Sequence, residues 1–91
     1  YGSDIPLIER LLKQAALAHP KVKKSNPVMV RLSDFGDSGL ELELIFWADQ
    51  SWDINNYKSQ IRLEIDRLFR TYGVEIPFPQ RVVHQAPSRN S

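Results

Sequence analysis

The residues best suited to chemistry in this 91-residue chain are His19, Asp34 and Ser38. They fall in His, Asp, Ser order, and Ser38 lies in Gly36-Asp37-Ser38-Gly39, a run like the loop around the nucleophilic serine of trypsin-like proteases. A triad needs the hydroxyl, imidazole and carboxylate in hydrogen-bonding sequence, so order along the chain is not enough. A chain this short cannot hold the two β-barrels of that protease fold. The alternation of apolar and polar residues on both sides explains the run as a hairpin turn, so no catalytic residue is assigned and the chain is read as not an enzyme.

Metal chemistry is no better supported. Asp34 and Asp37 could form a pair, but a calcium loop needs about six oxygen ligands, with acidic or amide residues at alternate positions and a later Glu. His19 and His84 each lack a second ligand nearby in sequence. There is no cysteine, which excludes a disulfide scaffold, thiolate metal sites and a Cys nucleophile. No phosphate-cradling glycine loop occurs, so no cofactor is assigned. Twelve Lys plus Arg against 11 Asp plus Glu give a net charge of +1, without the basic excess that a nucleic-acid surface needs. Base stacking on the sheet is also disfavoured, because Glu41 and Glu43 share a face with Trp47.

The elements that would position these residues are clear. Asp4 is a helix N-cap with Pro6 in the first turn. Ile8, Leu11, Leu12, Ala15, Ala16 and Ala18 then recur at helical spacing, Glu9 and Lys13 form an i,i+4 pair, and Pro20 ends the helix at His19. Residues 20–26 form a basic connector carrying Lys21, Lys23 and Lys24. Val28, Val30 and Leu32, and then Leu40, Leu42, Leu44 and Phe46, alternate with polar residues as two strands of a hairpin. Its turn is Asp34, Phe35, Gly36, Asp37, Ser38 and Gly39, and Arg31 is expected to pair with Glu41 or Glu43 across the strands. Trp47 is a candidate subunit contact.

Asp53 reads as a second N-cap, with Trp52 and Tyr57 at the spacing of a hydrophobic staple. Ile54, Tyr57, Ile61, Ile65, Leu68, Phe69 and Tyr72 form a second helical stripe, which Gly73 closes. Val74, Glu75 and Ile76 read as a short strand interrupted by Pro77 and Pro79. Residues 85–91 carry no pattern and are expected to be a disordered tail. The order is αββαβ, an α+β two-layer sandwich of ferredoxin-like type whose first strand would lie upstream of Tyr1, with a C-terminal strand segment. Because that first strand is central, the remaining sheet is expected to have an open slot, filled by a borrowed strand or by dimerisation. Tyr1 is not Met, so the chain is expected to be an excised or processed piece.

Four segments together resemble the mechanosensitive channel family called MscS: Tyr1-Gly2-Ser3-Asp4, Asp34-Phe35-Gly36-Asp37-Ser38-Gly39-Leu40, Trp47, and Ile76-Pro77-Phe78-Pro79-Gln80. Gly39 departs from the pattern, since many members have another small residue there. The resemblance implies a homo-heptamer in which transmembrane helices and a β-domain precede a mixed α/β domain, here residues 1–76. It implies that residues 77–84 are a proline bend, Pro77, Phe78 and Pro79, leading into a strand of a terminal barrel, Gln80, Arg81, Val82, Val83 and His84. It further implies an inner-membrane channel whose cytoplasmic part, including this segment, forms a vestibule with side portals and passes ions and small solutes on hypoosmotic shock. Membrane contact would come only through the preceding part, since no apolar run here approaches the ~20 residues a spanning helix needs. The alternative is a free-standing ferredoxin-like regulatory or small-ligand-binding module.

Overall fold

A computed structural model describes residues 4–34, 39–50, 52–75 and 80–85. Helix α1 spans Ile5–Leu17, strand β1 Met29–Asp34, strand β2 Leu40–Phe46, helix α2 Ile54–Tyr72 and strand β3 Gln80–His84. Asp4 caps α1: its Oδ1 accepts from the Leu7 N–H at 3.1 Å. Asp53 does not cap α2 in this way. Its side chain makes no bond to the helix backbone and instead accepts from the Asn56 side-chain amide at 3.2 Å. Asp4→Ala is therefore expected to cost about 1 kcal/mol and Asp53→Ala a few tenths at most. Urea unfolding of the two variants checks this, and equal losses would refute the assignment.

The staple at the start of α2 does not form. Trp52 is 80% exposed, while Tyr57 is buried with its ring centroid 5.3 Å from that of His19. The chain enters α2 through a turn at Trp52 and Asp53, which points the indole outward. At the other end, Gly73 has φ +66°, a left-handed conformation that favours glycine. Its N–H donates to Arg70 O and that of Val74 to Phe69 O. This capping consumes the Val74 N–H, and neither Val74 nor Glu75 belongs to a strand. The expected strand at 74–76 is thus corrected for its first two residues; Ile76 lies outside the described residues.

The third strand of the sheet is β3. β1 and β2 pair antiparallel, and β2 and β3 pair parallel, giving the order β1-β2-β3. A parallel partner requires a long crossover, and α2 supplies it. The ladder runs one residue past β3, where the Gln85 N–H donates to Phe46 O at 2.8 Å. The expected open slot beside β2 is therefore occupied by the chain's own β3. Neither a borrowed strand nor a dimer is needed to complete β2. Residues 86–91, which make up the rest of the expected tail, lie outside the described residues.

Both helices pack on one face of the sheet, a two-layer α+β arrangement of ferredoxin-like type. The core joins Ile8, Leu11, Leu12, Ala15 and Ala16 of α1 and Tyr57, Ile61, Ile65, Leu68 and Phe69 of α2 to Leu42, Leu44, Phe46 and Val82 of the sheet. Among the described residues no helix is long and apolar enough to cross a membrane.

Candidate functional site

Side chains alternate between the two faces of a strand, so with Leu42, Leu44 and Phe46 in the core, Glu41, Glu43 and Ile45 occupy the opposite face. Register then decides their neighbours. Arg31 of β1 and Arg81 of β3 both lie directly across from Glu43, forming a row Arg31–Glu43–Arg81. Both Nε and Nη2 of Arg31 donate to Glu43 Oε1, at 3.0 and 2.8 Å, and Ser33 Oγ donates to the same oxygen at 3.1 Å. Arg81 Nη2 donates to the other oxygen, Oε2. Arg81 Nε also lies 3.2 Å from Glu41 Oε2, without the alignment of a hydrogen bond.

Glu43 keeps 5% of its side-chain surface, whereas Arg31 and Arg81 keep 63% and 47%. The carboxylate thus lies beneath two solvated guanidiniums. The bond from Arg81, then that from Arg31, holds the Glu43 carboxyl at about 2, against an ordinary 4.5; burial pushes the other way and is outweighed, and Ser33 adds to the lowering. Hydrogen bonding to Glu43 and the nearby Glu41 charge raise Arg81 further above its ordinary range. Two cations face two anions, so the network neutralises itself.

The residues singled out for chemistry do other work. His19 Nδ1 accepts from the Lys21 N–H at 3.1 Å, and Nε2 contacts Gln60 Oε1 at 2.5 Å. Those partners fit a neutral imidazole protonated on Nε2, which ties the end of α1 to α2 and leaves neither ring nitrogen free to act as a base. Asp34 closes β1 opposite Leu40, and Gly39 has φ +90°. Phe35, Gly36, Asp37 and Ser38 lie outside the described residues, as do Pro77, Phe78 and Pro79. Gln80, Arg81, Val82, Val83 and His84 make up β3.

In the basic connector, Lys24 Nζ donates to the carbonyls of His19 and Val22, at 3.1 and 2.9 Å, and Lys23 pairs with Asp49 at 3.2 Å. Two of the three lysines therefore hold the chain itself. Among the described residues two ring nitrogens, Trp47 Nε1 and His84 Nε2, are buried without a hydrogen-bond partner. The role of Arg81 was missed in the sequence because parallel pairing across a helix leaves no local signal. The Arg31–Glu43 pair was visible as one of two options.

The family described as "Mechanosensitive ion channel MscS, C-terminal" matches residues 1–76. The chain belongs to this family. It is 32% identical over 78 residues to a small-conductance mechanosensitive channel of Helicobacter pylori, covering 86% of this chain and 28% of that protein. An uncharacterised MscS family protein of Archaeoglobus fulgidus is 31% identical over 83 residues, covering 91% of this chain and 29% of that protein. A large-conductance mechanosensitive channel, MscMJLR of Methanocaldococcus jannaschii, is 29% identical over 77 residues, covering 78% and 21%. The chain thus spans less than a third of the length of these relatives. A solved structure, MamM CTD in its copper form, superposes with a TM-score of 0.61 at 13% identity, covering 96% of this chain and 90% of that one. At that identity the likeness extends to the fold alone.

Proposed function

We propose that this chain is the cytoplasmic vestibule and assembly domain of a tension-gated mechanosensitive channel that releases ions and small solutes on hypoosmotic shock. The observation that carries the reading is the family match over residues 1–76, together with relatives that are mechanosensitive channels. The parent would be an inner-membrane homo-heptamer, with its pore and tension-sensing helices in the length of the relatives that this chain does not span. The family match favours this reading over a free-standing regulatory module.

Within it, the neutralised Arg31–Glu43–Arg81 row suits a stiff wall better than a site that captures permeating ions, because its charges are already spent on one another. Pro77, Phe78 and Pro79 would form the bend, and Gln80 to His84 the strand that each subunit brings to a terminal barrel. Among the described residues β3 is an edge strand with one side unpaired, which could take one sister strand; closing a barrel needs both sides, so β3 would leave β2 in that assembly. Patch-clamp recording of the intact parent protein tests the function. Currents that open with suction, together with cross-linking into seven-subunit species, are the expected result. Silence up to membrane rupture would overturn the channel reading, and a smaller ring would overturn the heptamer.

A further inference from the structure

Where α2 passes the open edge of β3 there is a cleft of about 560 Å³, lined by Asn55, Lys58, Ser59 and Arg62 of the helix and by Arg81 and His84 of the strand, among others. Among the described residues no carboxylate lines it. Arg81 is committed to Glu43 and Glu41, but Lys58 and Arg62 have no ion pair among the described residues. Their i,i+4 spacing puts like charges one turn apart, which disfavours the helix by a few tenths of a kcal/mol.

On the rest of α2 the charges are matched, Arg67 to Glu64 and Arg70 to Asp66, whereas on α1 Lys13 pairs with Glu9 and Arg10 has no ion pair among the described residues. Asp66, one turn beyond Arg62, is thus already taken by Arg70 at 3.1 Å. Lys58 is partly buried and lines the cleft. His84 adds an imidazole whose Nε2 is buried without a partner among the described residues. Its ring packs against Phe46 with centroids 5.6 Å apart.

The geometry points to this cleft as a binding site for a small phosphoryl dianion, either free phosphate or the phosphate of a monoester. Two uncompensated cations match a charge of minus two. The Arg62 guanidinium is a planar fork suited to two phosphate oxygens, and Lys58 supplies a point charge. Ser59 and Asn55 contribute neutral donors, and this many donors around one space exceeds what a single carboxylate can use. The volume lies within the range of small-molecule sites and is larger than phosphate alone requires. The inference stands apart from the channel function, but it requires β3 docked on β2 with its other edge not covered by the sister strand proposed above. Because the cleft exists only while β3 is docked on β2, an occupant would also stabilise that docking by mass action.

The test is calorimetric titration of the chain at low salt with inorganic phosphate and, separately, with adenosine monophosphate, alongside melting curves at each concentration. Saturable binding is expected, with a melting temperature that rises with ligand. The double variant Lys58→Gln, Arg62→Gln should weaken binding by about tenfold or more while melting, without ligand, no lower than the parent chain. The control Lys21→Gln, outside the cleft, should bind as the parent does. Tighter binding of the nucleotide would assign a monoester, and equal binding would assign the free ion. Absence of saturation with both ligands, binding that survives the double substitution, or an equal loss in the Lys21 control would overturn the site.

Discussion

Glu43→Ala is expected to destabilise the chain by about 2–3 kcal/mol, below the ~3–5 kcal/mol of a fully buried pair because water screens both arginines. The loss has two sources. Four donor contacts onto the carboxylate vanish, and Arg31 and Arg81 are left flanking an empty position with like charges. Glu43→Gln keeps the shape and removes the charge, so it separates the electrostatic part. The same group controls the acid limb of stability. Its folded pKa of about 2 lies below its ordinary 4.5. The stabilisation is therefore fully present above pH 4.5 and is lost as pH falls from there through 2. Urea midpoints measured across that window should fall more steeply for the parent chain than for Glu43→Gln. Parallel curves would show that the row is not coupled to folding.

Phe46→Ala is expected to cost more, about 3–5 kcal/mol. Phe46 is fully buried and is the largest of the completely enclosed side chains. A domain of this size has roughly 5–14 kcal/mol in total, so the variant should sit close to unfolding at ambient temperature. The damage should also be directional. The Phe46 ring packs against His84, and its carbonyl accepts from the Gln85 N–H. Removing the ring should loosen the end of β3 first. Hydrogen exchange at the Gln85 amide should accelerate more than exchange at Leu68 in the middle of the core. A loss under about 1 kcal/mol would mean that this site collapses without a cavity, contrary to the burial described.

Much of the fold is local and could be read from residue order. The period of the apolar residues in 5–17 and 54–72 specifies helices, because only a 3.6-residue repeat brings Ile8, Leu11, Leu12 and Ala15 to one side. The alternation in 29–34 and 40–46 specifies the hairpin, and the spacing of its strands makes Arg31–Glu43 one of two available pairs. Asp4 and Gly73 terminate their helices by interactions within a few residues, so sequence suffices for them. Family membership was also legible, since it rests on the identity and order of short segments.

What sequence alone left open depended on long-range choices. Two cap candidates looked alike, but Asp4 bonds the backbone and Asp53 does not, because the turn before α2 sets the backbone angles. Trp52 had staple spacing and is nevertheless exposed. The third strand proved to be Gln80–His84, and Val74 and Glu75 are not in a strand, because the cap at Gly73 consumes the Val74 N–H. Parallel docking of β3 on β2 then made Arg81 the second clamp on Glu43 and created the cleft beside α2. Residue order by itself determined the elements, the core faces and the family. Only the tertiary structure decided which strand completes the sheet and which charges meet, because pairing across a 19-residue helix is settled by packing and not by any local pattern.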